Sequence, residues 1–437
     1  MRYDELHLWH LGDPSTPTYV GQLRPVAAGK GVSLRYCADW LAKGFALSED
    51  LPLRDIEFMP PDRLAGDVPR AVGAVDDARP DRWGEKVIRC VAKPKRLSLM
   101  EYLYYAGDDR FGALGVSTSA TVYEPGSSSP LPRLADVQQL SEVAAKIEAS
   151  EPLTVIEAKI IAGGGSPLGG GKPKALIEID GEQWVIKFYN REPVDTPVIE
   201  HATMTLAKQA GINTAETQVI RLQGENAIAI RRFDRKGVQR IHSISAGTAI
   251  RALTPAGQEP EMGYPELALL LRRVGVTHGN QHELDARELF RRMVFNILMD
   301  NTDDHEKNHA LLVVSPNANG RLTLAPAYDV LPTNSGQGYQ EFICGDEGRD
   351  STLSNAMSQC GSFGLRRPEA AAEVMAVIQV VETWKEHFQG VGVTRRDIDS
   401  LAERIDSDEL AAQRADFDPL KHATPAKAPK RTPFRSD

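Results

Sequence analysis

Asn301-Thr-Asp303-Asp304-His305-Glu306-Lys307-Asn308-His309 is the stretch on which the reading of this chain turns. It sets an acid, Asp303, five positions ahead of an amide, Asn308. In phosphoryl transfer an aspartate at that spacing orients a hydroxyl nucleophile and accepts its proton. The amide oxygen ligates a metal held on nucleotide phosphates. Asp329, in Pro326-Ala-Tyr-Asp329, follows twenty-one residues after Asn308 and offers a second, anionic ligand. Mg2+ is a hard cation that prefers such oxygens. A rival pattern overlaps the first, because His305-Glu306-x-x-His309 matches the zinc-hydrolase signature H-E-x-x-H. That chemistry needs a helix to bring both imidazoles to one face. Here a helix is expected to end near Asn301 and a β-rich run starts at Ala310, so zinc is the weaker reading.

Working outward, Gly163-Gly-Gly-Ser166-Pro-Leu-Gly169-Gly170-Gly171-Lys-Pro-Lys174 holds six glycines in nine residues. Glycine loses the most conformational freedom on ordering, so this run predicts a loop. Its backbone N–H groups are free to approach anionic oxygens. It is not a Walker A loop, since Lys172 is followed by proline. Two apolar runs follow, Ala175–Ile179 and Gln183–Tyr189, joined by Asp180-Gly181, a strong hairpin signal. Lys187 interrupts the second run, where it is suited to neutralise nucleotide phosphates. Glu200, on a helix expected over about 196–210, is its candidate partner. Lys174 is a second cation beside the loop. A second hairpin, Thr217–Leu222 with Ala227–Phe233, closes this unit.

After Asp234 the patterns turn helical, near 264–274, 285–300, 368–390 and 394–405. Asp285-x-x-Glu288 and Thr394-x-x-Asp397 read as helix N-termini. Ahead of the glycine run, a hairpin is expected over 5–23, a strand over 32–36, and helices near 82–92, 98–106 and 135–150. Trp83 reads as a core or turn aromatic, and Gly107–Gly112 as a structural turn. The composition break Glu124–Pro132 marks a boundary. The expected division is 1–123, a linker 124–134, 135–234, 235–415 and a tail 416–437, the last disordered.

The 437 residues are 41% hydrophobic and 25% charged, ordinary for a globular protein. No apolar run reaches the length of a membrane span. The N-terminal sequence lacks a signal peptide's apolar stretch, so a cytoplasmic protein is expected, without membrane attachment. Four scattered cysteines form no CxxC and argue against a disulfide framework. A net charge of −9 disfavours broad nucleic-acid binding.

In order along the chain, Asp81-Arg-Trp-Gly, Gly107-Asp-Asp-Arg-Phe-Gly-Ala-Leu114, Gly169-Gly-Gly-Lys-Pro-Lys-Ala175, Val185-Ile-Lys-Phe, Arg232-Phe-Asp-Arg235, the 301–308 stretch and Ala325–Val330 resemble the HipA-like serine/threonine kinases. These are toxin components of type II toxin–antitoxin systems. The resemblance runs from about residue 5 to 405 and implies an α+β, protein-kinase-like, two-lobed fold with ATP between the lobes. It implies Asp303 as catalytic aspartate, Asn308 and Asp329 as Mg2+ ligands, and Lys187 with Glu200 at the phosphates. Gly169, Gly170, Gly171 and Lys174 would belong to the nucleotide loop. Arg231 to Phe233 would form the hinge near adenine, with Arg231 standing where relatives often carry Glu.

It further implies autophosphorylation of a loop serine, here Ser166, which silences the enzyme. The implied partners are a HipB-like helix-turn-helix antitoxin, DNA only through that antitoxin, and a protein substrate such as an aminoacyl-tRNA synthetase. Modification of such a substrate causes growth arrest and persistence. The alternatives carried with it are a catalytically idle module that binds nucleotide or antitoxin, and the zinc hydrolase.

Overall fold

The computed structural model describes residues 3–60, 70–95, 97–126, 130–164, 170–190, 192–255, 258–314 and 321–423. The expected first hairpin is present as Leu6–His10 paired antiparallel with Thr18–Val26, and Gly31–Tyr36 adds a third strand. Leu114–Ser117 pairs with the far side of Leu6–His10. Alternating apolar residues explain this sheet: Leu6, Leu8, Val20, Leu23, Val32 and Leu34 are all buried. The helices Arg82–Val91 and Leu99–Tyr105 follow as expected, the second opening on a Ser98/Glu101 capping box.

The second sheet is antiparallel and four-stranded, in the order Lys174–Ile179, Glu182–Phe188, Asn226–Arg231, Thr217–Arg221. Asp180 and Gly181 both take positive φ, 52° and 79°, as a tight two-residue hairpin requires. The helix Thr196–Gln209 crosses between the two hairpins. One apolar cluster joins this sheet to Trp83 and Val87 of the helix Arg82–Val91 and to the helix Val137–Glu148. Trp83 is fully buried, and its indole Nε1 donates to the Lys174 carbonyl at 2.7 Å. Burial of an aromatic this size contributes roughly 1.5–3 kcal/mol or more, so Trp83 anchors the strand that carries Lys174.

The remainder is mainly helical around Gln281–Leu298, with a small sheet of Ser243–Ser245, Ala310–Val313 and Leu322–Leu324. Its apolar cluster runs on into the N-terminal sheet. Two local expectations are corrected. Asp285 does not cap a helix, because the helix starts a turn earlier, at Gln281 after Asn280. Asp285 is instead buried inside it and accepts from Thr323 Oγ1 (2.8 Å) and the Leu324 N–H (2.9 Å). The pattern over 368–390 splits into Arg367–Val381 and Trp384–Val391. Thr394 does cap Arg395–Ile405, accepting from the Asp397 N–H at 3.2 Å. Among the described residues no helix is long and apolar enough to cross a membrane.

Candidate active site

A cleft of about 1350 Å³ lies between the four-stranded sheet and the helical part. Lys174, Lys187, Gly170, Gly171, Arg231, Phe233, Asp303, Asn308 and Asp329 all line it. Residues spread over more than 150 positions of sequence therefore meet at one surface.

The sheet supplies the cations. Lys174 and Lys187 are direct cross-strand partners, so the pleat sends both side chains to the same face. Lys187 Nζ sits 2.7 Å from Glu200 Oε1 and 2.5 Å from Asp329 Oδ1. Tyr189 donates its hydroxyl to the other Glu200 oxygen at 2.9 Å. Burial alone would strip Lys187 of its charge, but Asp329 and Glu200 hold its pKa above the usual lysine range. Lys174 is compensated less: burial, then the charge of Lys187, push its pKa down to about 8. Burial thus makes the Lys174 charge costly, although Asp329, Asp81 and Glu200 partly offset that cost.

Asp329 takes φ 59°, the left-handed region that costs an aspartate backbone strain and that aspartate tolerates better than most residues. Burial opposes its ionisation, yet Lys187 and Lys174 hold its carboxyl below the usual range. About a third of its side chain (36%) stays open to the cleft.

The stretch from Asn301 to His309 is non-helical and is fixed from behind. Asn301 donates from Nδ2 to Asn296 Oδ1 at 3.0 Å, and Thr302 Oγ1 lies 2.6 Å from Thr333 Oγ1. Buried Asp304 accepts from His309 Nε2 at 2.7 Å and from the Tyr264 hydroxyl. With these neighbours tied down, Asp303 alone of the two aspartates is exposed to the cleft. Desolvation raises its pKa above the ordinary carboxylate range; His305 opposes this, while Asp329 and Glu341 add to it. Asn308 is buried against the same wall, its backbone N–H bonded to the His305 carbonyl at 2.9 Å.

That geometry removes the zinc reading. His309 points into the core, stacked on Phe342 at 5.4 Å, while His305 lines the cleft. With no helix to align them, the two imidazoles share no face. Among the described residues no group of three or more His, Cys, Asp or Glu is arranged to hold a metal.

Arg231 and Phe233, expected at the hinge, both line the cleft. Arg231 ends a strand and pairs with Glu182 (3.1 Å) and Glu216 (3.3 Å), and Phe233 packs on Tyr328 at 5.3 Å. Ser166 and Gly169 lie outside the described residues. Asp81 is a contributor that sequence reasoning left without a role. It accepts from the Gly170 N–H (2.9 Å) and from Lys307 Nζ (2.7 Å), tying the end of the glycine run to the catalytic loop. Its contact with Lys307 spans 226 residues, so no local pattern reveals it. Asp81-Arg-Trp-Gly within the resemblance was the available signal. Tyr189 and Tyr328 were missed for the same reason.

A family model described as HipA-like C-terminal domain matches residues 166–385, and one described as HipA N-terminal domain matches residues 16–117. A curated Sinorhizobium fredii protein named "Putative kinase Y4dM" is 29% identical over 176 residues, 38% of this chain and 41% of that protein. A Haemophilus influenzae protein named "Putative kinase" is 29% identical over 141 residues, 30% of this chain and 39% of that one. The chain spans about two fifths of the length of these relatives. A chain of the Shewanella oneidensis HipA, HipB and operator DNA complex superposes with a TM-score of 0.65 at 17% identity, over 96% of this chain and 98% of that one. That likeness establishes a shared fold.

Proposed function

The chain belongs to the HipA-like C-terminal domain family, and from that premise we propose that it is an ATP- and Mg2+-dependent protein serine/threonine kinase of HipA type. The observation that carries this reading is the convergence of Lys187, Asp303, Asn308 and Asp329 on one cleft. The donor set suits the group it would hold: an amide and a carboxylate for a hard cation, and two buried lysines for phosphates. Mg2+, when bound, would offset charge on the phosphate oxygens.

The chain's own residues do the rest. Lys187, oriented by Glu200 and Tyr189, faces the phosphates. Lys174, its cross-strand neighbour, adds a second positive charge on the same face. Asp303, with its pKa raised, holds the acceptor hydroxyl and takes its proton as the oxygen attacks. Asn308 and Asp329 hold the cation, and Arg231 to Phe233 line the adenine end. Such chemistry is mostly positioning and electrostatics, which rigid elements supply.

We further read Ser166 as an autophosphorylation site that silences the enzyme. The proposed partner is a HipB-like helix-turn-helix antitoxin, through which this acidic chain would reach DNA. A protein substrate whose modification arrests growth is the proposed target. The division at 124–134 belongs to the same proposal.

The test is transfer of label from γ-labelled ATP with Mg2+, comparing the natural chain with Asp303→Asn. Label on the natural chain, or on a protein from its host, but not with Asp303→Asn supports the kinase. ATP binding without any transfer supports the idle module instead.

A further inference from the structure

We infer that Ser335 is a second phosphorylation site, a hydroxyl on the segment after Asp329 that takes a phosphoryl group from nucleotide in the same cleft and is then held by Arg404. The inference rests on the kinase reading.

Ser335 is exposed and lines the cleft that contains Asp303. Its Oγ lies 2.9 Å from Thr302 Oγ1, on the residue directly before Asp303. Thr333 is the other hydroxyl there, but it is committed, donating to the Asp300 carbonyl at 2.8 Å and lying 2.6 Å from Thr302 Oγ1. Among the described residues Ser335 makes hydroxyl contacts only, to Thr302 and, at 3.3 Å, to Thr333. Around it Asn334, Gly336 and Gly338 take φ of 55°, 60° and 70°, so the segment is irregular. Alternation of left-handed residues with ordinary ones gives no regular ladder to break.

A receiver for the phosphate is in place. The Arg404 guanidinium lies over Gly336, so close that a Cβ there would sit 2.5 Å from Nη1. Arg404 is exposed and forms no direct ion pair among the described residues, although its charge reaches Asp300. A phosphoserine opposite an arginine gains charge-assisted bonds and orders the loop that carries it. In the transfer, the Ser335 Oγ–P bond forms as the bond from the terminal phosphorus to the bridging oxygen breaks. The serine proton passes to Asp303, and the nucleoside diphosphate leaves. The product exchanges the weak Ser335–Thr302 contact for a pair with Arg404, fixing residues 331–338 against the helix Arg395–Ile405.

The experiment starts from phosphatase-treated full chain, incubated with ATP and Mg2+, with phosphates mapped by peptide mass. Phosphate on Ser335 is expected in the natural chain and in Arg404→Ala, and not in Asp303→Asn. Phosphatase should then strip it severalfold faster from Arg404→Ala. Phosphate only on other residues, or none on the chain while a host protein is labelled, overturns this inference and leaves the kinase standing; ATP bound with no phosphate on the chain or on any host protein brings down both. Hydrogen exchange supplies a readout free of activity. Ser335→Glu should slow exchange over 331–338, and Arg404→Ala added to it should restore the rate; identical exchange in all three chains removes Arg404 from the account.

Discussion

Two clusters of buried charge lie a short way apart in this fold, and they behave differently. In the first, Arg232 and Arg235 clasp Asp234, with side chains only 3% exposed. Asp234 also accepts from the Gly112 N–H at 2.8 Å, where φ is 75° and the backbone approach leaves little space for a side chain. The Arg232 and Arg235 guanidiniums also donate to the carbonyls of Asp109, Arg110 and Gly112 at 2.7–3.0 Å, and Arg235 Nε donates to Gln183 Oε1 at 3.2 Å. Arg110 beside them is satisfied by carbonyls as well. In the second cluster Lys187, Glu200, Tyr189 and Asp329 bond one another, but Lys174 carries a disfavoured charge and Asp329 stays open to a cleft. The first is closed and fastens the N-terminal module to the hinge strand. The second keeps a carboxylate, Asp329, partly open to the cleft beside two buried lysines. Buried charge by itself does not mark a functional site; the pointer here is a carboxylate left partly open to a cleft beside two lysines on one sheet face.

The comparison breaks most visibly at its catalytic end. Asp303→Asn should lower phosphoryl transfer by about 10²–10⁴-fold, the contribution of a positioned base, while unfolding free energy moves by no more than about 0.5 kcal/mol. Rate assays and urea unfolding on the same preparation check both halves. At the closed cluster the sensitivities reverse. Asp234→Asn leaves two buried guanidiniums without their carboxylate and should cost about 3–5 kcal/mol, read as a lower denaturation midpoint. Equal stability would mean that the closed cluster does not fasten the fold.

Lys174→Met is the finer probe, because it should improve stability while weakening function. Removal of a buried cation whose charge burial disfavours should raise the unfolding midpoint, and ATP affinity should fall by about tenfold, the worth of a charge-assisted contact. The smallest effect is on pH. The folded pKa of Lys174, about 8, lies below its ordinary 10.5. The unfolded chain therefore binds more protons between those values, and this group's contribution to stability rises with pH across that window. Its phosphate affinity runs the other way, falling as pH rises through about 8. Calorimetric titration of ATP at pH 7 and pH 9 should show that fall in the natural chain and a flatter response in Lys174→Met.

Sequence carried the open cluster better than the closed one. Asp303, Asn308 and Asp329 sit at spacings that chemistry constrains, and Asp180-Gly181 demands its turn, so the hairpin with Lys187 was legible. The helix with Glu200 followed from its apolar repeat. Asp234 and its arginines were not legible as a cluster, because their partners are backbone carbonyls more than 100 residues away. Gly107–Gly112 read correctly as a turn, but nothing in it announces what the turn receives. Asp285 misled because an acid three residues before Glu288 looks the same whether it caps a helix or is buried within one. Asp81 shows the same limit from the other side, as its two bonds exist only once the fold is complete.

The central claim is that the open cluster waits for nucleotide phosphates, and calorimetric titration of ATP with Mg2+ into the natural chain and into Lys187→Met tests it most directly. The account predicts saturable binding by the natural chain and binding at least about tenfold weaker in a Lys187→Met chain that still unfolds cooperatively. Equal affinity in the two folded chains would contradict it and place the nucleotide, if any, elsewhere.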